Sequence, residues 1–317
     1  MEPVVGEIAA CSPSGGAAIT IGGMAETGSQ FDCIAVMGVG LIGGSIALAA
    51  KSCGAARSVI GFGRNRDRLA AAKSHGVIDE AATSSDDLSR AGLIVVCTPV
   101  DRIATDVLAA LQATEGTSTL VTDAGSVKGS IQRAVDLEYS GDRFVAAHPL
   151  AGSHHSGFEH ANASLLPGRL CVLTPRGYPT VDDNVQQVRR FWERLGMRVR
   201  LMSVQEHDKT LALTSHLPHL AASAVASLVE PAILEYASTG YRDTTRVAAG
   251  DPELWSAIFA LNKPEMLRGI DRLVSALQQC RIALDEERHQ DLRGFLQGAS
   301  EARRQYRDDP SRPDDGT

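Results

Sequence analysis

The sequence predicts an α/β chain: a doubly wound parallel sheet first, then an all-α domain. Three observations carry that reading. From Phe31 to about Met202, short β-branched runs alternate with helical stretches, the pattern of βαβ units. A glycine cluster, Gly38-x-Gly40-x-x-Gly43, follows the first of those runs and opens a helix. From about Ser203 onward the strand signals vanish and only helical patterns remain.

Taken in order, residues 1–30 are rich in Gly, Ala and Ser without periodicity and read as a flexible arm. Seven strands are expected, at CIAVMG, SVIGFG, LIVVCTP, TLVTDAG, RFVAAHP, RLCVLTP and a weaker MRVRLM. RDRLAAAKSHG, DRIATDVLAALQ and NVQQVRRFWERLG are helices between them. This places a dinucleotide-binding domain at 31–202 and a helical dimerisation and substrate domain at 203–305. The polar, acidic residues 306–317 read as a disordered tail. In the last long helical run Met266, Ile270, Leu273, Leu277, Cys280 and Leu284 recur at helical spacing. That stripe suits burial against a second copy of the chain, and an ordinary core-facing stripe is the competing reading.

Composition narrows the partners. A 317-residue chain with 44% hydrophobic and 22% charged residues is ordinary for a globular protein. A net charge of −7 argues against nucleic acid, and no apolar run is long enough to span a bilayer. The N-terminus lacks the basic and apolar regions of a signal peptide. Six cysteines, at 11, 33, 53, 97, 171 and 280, are scattered without a CxxC pair, which suits free thiols in a reducing compartment. The expectation is a cytoplasmic enzyme with a small-molecule substrate.

The glycines suit a pyrophosphate in a Rossmann-type turn. Gly38 permits the tight turn, Gly40 the approach of backbone to phosphate, and Gly43 close helix packing. The helix beginning at Leu41 and Ile42 offers its free N–H groups. At the end of the second strand an NAD enzyme usually carries a carboxylate for the ribose hydroxyls. Here the chain reads GFGRNRDR, with Gly63 at that position and Arg64 next. A guanidinium pairs well with a 2′-phosphate, so NADP is the expected cofactor. Asp67 keeps NAD open.

Three further strand ends bring polar groups to the cofactor crevice: Cys97-Thr98-Pro99, Asp123 to Lys128, and His148 to Gly152. Thr98, Pro99 and Asp123 are expected beside the cofactor. A histidine there suits proton abstraction at neutral pH, and Ser126 is placed to orient the imidazole or a substrate hydroxyl. Taken alone, His148 also reads as a bonded core histidine and Ser126 as a helix cap.

In this order GVGLIGGS (38–45), DAGSVK (123–128), HPLAG (148–152), HLPH (216–219) and YRDTTR (241–246) resemble the prephenate and arogenate dehydrogenase family. The resemblance spans residues 31–290. It implies NAD(P)-dependent oxidative decarboxylation of prephenate to 4-hydroxyphenylpyruvate in tyrosine biosynthesis, by a homodimer. Arogenate is the alternative substrate. His148 then matches the base that deprotonates the ring hydroxyl, and Ser126 a serine near it. Arg246 matches a carboxylate-holding arginine and His219 a second substrate-side histidine, with His216 structural. Asp243 and Trp255 match pocket positions, and Arg246 with Asp243 also reads as a helix pair. His154 stands where many relatives carry an acidic residue, which favours prephenate over the amino-bearing arogenate.

His148, His154, His155 and His160 fit no familiar metal spacing, and no metal is expected. Two other functions compete. One is a hydroxyacid dehydrogenase or imine reductase, the hydroxyacid members of which use a lysine on the first long helix of the second domain, where Lys209 lies. A non-catalytic dinucleotide sensor would bind the cofactor without turnover.

Overall fold

The computed structural model describes residues 29–82, 84–153 and 155–307. The arm up to residue 28, His154 and the chain beyond 307 lie outside the described residues.

Among the described residues eight strands form one sheet: β1 (Phe31–Met37), β2 (Ala56–Phe62), β3 (Glu80–Ala81), β4 (Leu93–Val96), β5 (Leu120–Asp123), β6 (Phe144–Pro149), β7 (Leu170–Thr174) and β8 (Arg198–Leu201). Their order is β3-β2-β1-β4-β5-β6-β7-β8. The two residues of β3 are too few to show alternation, and sequence reasoning passed over them.

The sheet departs from the expected all-parallel form at one seam. β1 to β6 run parallel, but β7 is antiparallel to β6, with Pro149 opposite Cys171. β8 pairs parallel to β7. A parallel neighbour needs a crossover that carries the chain back across the sheet. The described residues of 150–169 form only two short 3₁₀ turns, Phe158–His160 and Ala163–Leu165. They lie along the first helix, where Asn162 N donates to Ser45 Oγ at 2.9 Å. The chain therefore returns directly beside the strand it has just left.

The helices of the first domain are α1 (Leu41–Ser52), α2 (Arg66–Ser74), α3 (Ile103–Ala113), α4 (Gly129–Glu138) and α5 (Asp183–Arg194). Alternate residues of the central strands feed two cores. Ile34, Val36, Leu93 and Val95 pack with Phe191 and Trp192 of α5 on one face. Ala35, Ile94 and Val96 pack with Val107 of α3 and Ile131 of α4 on the other. Burial on both faces explains why these strands read as continuous apolar runs.

The second half holds α6 (Val204–Leu211), α7 (Leu217–Ser227), α8 (Thr239–Thr245), α9 (Pro252–Leu261), α10 (Lys263–Asp285) and α11 (His289–Arg307). A capping box between Ser203 and Glu206 starts α6. What the sequence presents as one helix from Val204 is broken by a π-helical turn, Ala212–His216. The last helical run is likewise two helices, divided where Glu287 takes φ +54°. α11 continues through Arg307, so Tyr306 and Arg307 belong to a helix rather than to a tail. Ile258 of α9 is buried in the second core of the sheet domain, seating the helical half beside β4 and β5.

Candidate active site

The turn between β1 and α1 is built for close approach. Gly38 has φ +92°, and a Cβ there would stand 2.7 Å from the Cys97 carbonyl oxygen. A Cβ on Gly43 would lie 2.2 Å from the Gly38 carbonyl oxygen, while one on Gly40 would meet nothing within 4 Å. Two glycines therefore serve packing, and the third leaves open space above the turn. No side chain caps α1, which leaves the N–H groups around Leu41 and Ile42 for an anion. Thr98, half-buried just past β4, holds a buried Oγ1 without a hydrogen-bond partner. Pro99 beside it is exposed, as is Arg64 just past β2. Uncapped N–H groups, an open glycine and an orphaned hydroxyl fit a dinucleotide.

Asp123 does not face that crevice. It is fully buried and ion-paired to Lys128, which is also fully buried. Its carboxylate accepts from Ala147 N at 3.0 Å and Gly125 N at 2.9 Å. Lys128 Nζ completes the knot by donating to the Ala147 carbonyl at 2.6 Å. Both oxygens of Asp123 are thus used in joining β5 to β6 beneath the site, which corrects its expected place among cofactor contacts.

His148 stands at the end of β6, on the residue after Ala147. Its Nδ1 lies 2.9 Å from His207 Nε2, and His207 Nδ1 lies 2.8 Å from Asp208 Oδ1. Asp208 in turn accepts from Lys128 N at 2.9 Å and Gly129 N at 2.8 Å. Asn262 donates to the Asp208 carbonyl at 2.9 Å and stands 3.2 Å from His216 Nδ1. Sequence reasoning missed His207, Asp208 and Asn262. A usable signal existed: His207 and Asp208 share the buried side of α6 with Leu211, so a polar doublet occupies the stripe where apolar residues belong.

Ser126 is half-buried on the turn between β5 and α4. The partner of the imidazole Nδ1 is His207 rather than Ser126. Nor does Ser126 cap α4, whose first N–H groups go to Asp208.

On the helical side His219 and Trp255 stack, with ring centroids 3.4 Å apart. Together with Leu220, Val247 and Phe259 they line a cavity of about 280 Å³. His216 lies behind it, its ring 6.3 Å from Trp255. Arg246 is exposed at the start of a 3₁₀ turn, Arg246–Ala249. Burial lowers the His219 pKa, and the Arg246 charge lowers it further. Asp243 pairs with Arg242 at 3.1 Å, not with Arg246. Lys209 is exposed, away from the buried side of α6. His155 and His160 stack at 4.4 Å, and no metal-holding group of His, Cys, Asp and Glu occurs among the described residues.

Burial lowers the His148 pKa well below the usual histidine value, and His207, Lys128 and His216 push the same way. The ring is therefore neutral, and a proton acceptor, at neutral pH. Burial, then His207, lowers His216 to about 4. Its unfolded form titrates at about 6.5. Between those values the unfolded chain binds a proton that the folded chain refuses, so stability is lost as pH falls from about 6.5 towards 4. His216→Asn is expected to flatten this loss by up to about 3 kcal/mol, measured as urea unfolding at several pH values.

Two family models match the chain: the nucleotide-binding domain of prephenate dehydrogenase over residues 46–201, and its dimerization domain over 203–298. The cyclohexadienyl dehydrogenase of Zymomonas mobilis is 33% identical over 80% of this chain and 89% of its own length. The prephenate dehydrogenase of Bacillus subtilis is 32% identical, over 86% of this chain and 75% of that protein. Among solved structures, prephenate dehydrogenase from Aquifex aeolicus, in complex with hydroxyphenyl propionate and NAD+, superposes with a TM-score of 0.80 at 29% identity. That match covers 87% of this chain and 98% of the other. With an uncapped glycine turn, a neutral histidine at a strand end and an aromatic cavity on the helical side, the chain belongs to the prephenate dehydrogenase family.

Proposed function

We propose that this chain oxidises and decarboxylates prephenate to 4-hydroxyphenylpyruvate, with His148 as the base. The observation that carries the reading is the neutral imidazole of His148, fixed at the end of β6 by His207. A nicotinamide dinucleotide bound over the glycine turn supplies the hydride acceptor. The chain's own groups do the rest. Arg246 holds the side-chain carboxylate of the substrate, where a guanidinium fork is the apt donor. Trp255 and His219 form the wall that positions the ring. Ser126, free of the imidazole Nδ1, contacts the substrate hydroxyl. His148 takes the hydroxyl proton as the C–O bond becomes a carbonyl, and loss of the ring carboxylate as carbon dioxide leaves an aromatic ring. Aromatisation drives the reaction, so the protein needs only to orient and stabilise charge. His154, whose side chain is not described, favours the keto-acid substrate on charge alone.

Arg64 supports NADP over NAD. It is exposed next to Gly63, which stands where a carboxylate would otherwise contact the ribose, and Asp67 lies a turn further on, within α2. Steady-state rates with prephenate and arogenate, each with NADP and NAD, test substrate and cofactor together. The expected result is turnover of prephenate, faster with NADP. Arg64→Ala is expected to raise KM for NADP by about tenfold, the loss of about 1.4 kcal/mol, and to leave NAD unchanged. Nucleotide binding without turnover of either substrate contradicts the reading and leaves a sensor.

The same reading takes the chain to be a cytoplasmic homodimer. Leu267, Val274, Leu277 and Leu284 are exposed on α10, with Phe295 and Leu296 on α11. Such a patch needs a partner. Leu277→Asp is expected to turn a dimer into monomers in light scattering, and an unchanged mass contradicts the assignment of this face.

A further inference from the structure

The hydrogen bonds around Asp208 determine where the protons of two histidines reside. Asp208 accepts from Lys128 N and Gly129 N at the start of α4, where the helix dipole also favours a negative charge. Burial opposes ionisation there, but the bonds from His207, Lys128 and Gly129 outweigh it and lower the Asp208 pKa. An ionised carboxylate only accepts. The 2.8 Å contact with His207 Nδ1 therefore carries its hydrogen on that nitrogen. His207 Nε2 is then a lone pair, and the 2.9 Å contact with His148 Nδ1 carries its hydrogen on His148. One ring nitrogen of His148 remains, Nε2, and it bears the lone pair.

We propose that Asp208, acting through His207, holds His148 in the Nδ1–H tautomer so that Nε2 is the base, an inference that rests on the assignment of His148 above. The pair are positioning residues, since neither touches the substrate. They also suit the proton balance of the reaction. The substrate hydroxyl gives its proton to His148 Nε2, and the resulting cation is shared along the Nδ1–H bond towards Asp208. No proton leaves the chain of residues. After carbon dioxide departs, the ring oxygen is a phenolate and takes the same proton back. The conversion releases no net proton, so a base that retains it is what the chemistry requires.

Asp208→Asn tests the proposal. Its amide oxygen, in the place of Oδ2, can accept from Gly129 N while its NH₂, in the place of Oδ1, donates to His207 Nδ1, which reverses both tautomers and gives up the bond from Lys128 N. The expected result is a fall in kcat of about 10³-fold with KM little changed, and recovery of most of it in Asp208→Glu. Nitrogen-15 NMR of the ring, assigned by difference from His148→Gln, reads the tautomer without any substrate. It is expected to show Nδ1–H in the wild type and Nε2–H in Asp208→Asn. The same tautomer in both proteins overturns the proposal even if prephenate turnover is confirmed. If loss of the α4 contacts unfolds Asp208→Asn, His207→Leu leaves those contacts in place. There kcat is expected to fall with mixed tautomers at His148, and wild-type kcat with a pure Nδ1–H ring overturns the proposal.

Discussion

His148→Ala is expected to lower kcat for prephenate by about 10³- to 10⁴-fold, at the upper end of what a positioned general base contributes. Nucleotide affinity should stay within about twofold, because the glycine turn and the start of α1, to which the dinucleotide is assigned, do not use the imidazole. The ring is buried at the end of β6 and bonded to His207, and the ionisable groups around it are engaged elsewhere. His207 is held by Asp208 on its other nitrogen, and Lys128 is engaged by Asp123 and the Ala147 carbonyl. Pre-steady-state absorbance with tightly bound nucleotide separates binding from chemistry. A loss of tenfold or less contradicts the role given to His148.

The second large effect is on stability. Lys128 and Asp123 form an ion pair with both side chains fully buried. Removing one partner of such a pair leaves an uncompensated charge in the interior, at a cost of about 3–5 kcal/mol. Lys128→Met is expected to fall in that range by urea unfolding. The double variant Asp123→Asn with Lys128→Met should recover much of the loss, since neither remaining group is charged. A single-variant cost below about 1 kcal/mol contradicts the view that this pair fastens β5 to β6 under the site.

Much of this was legible because it is local. The glycine turn, the buried strands and the helix starts depend on neighbours within a few residues. The β6–β7 seam did not follow from such rules. It depends on the described residues of 150–169 forming no crossover helix and lying instead along α1. The site divides in the same way. His148 is visible at a strand end, whereas the stacking of His219 on Trp255 joins residues 36 positions apart. Asp208 reaches the start of α4 from 80 residues further along the chain, so it was not readable from spacing. Its arrival changes the parts given to others: it caps the helix that Ser126 was read as capping, and through His207 it orients the ring that Ser126 was read as orienting. Asp123 moved for a similar reason. A carboxylate at a strand end reads as a ligand contact until a buried lysine five positions on claims it.

Prephenate labelled with carbon-13 in its ring carboxylate, turned over by purified protein with NADP, tests whether His148 drives an oxidative decarboxylation. One labelled carbon dioxide is expected for each reduced nicotinamide formed, with 4-hydroxyphenylpyruvate in equal amount, and all three are expected about 10³- to 10⁴-fold more slowly from His148→Ala. Reduction of nicotinamide without release of the label, or binding of nucleotide with no reduction at all, would contradict that reading.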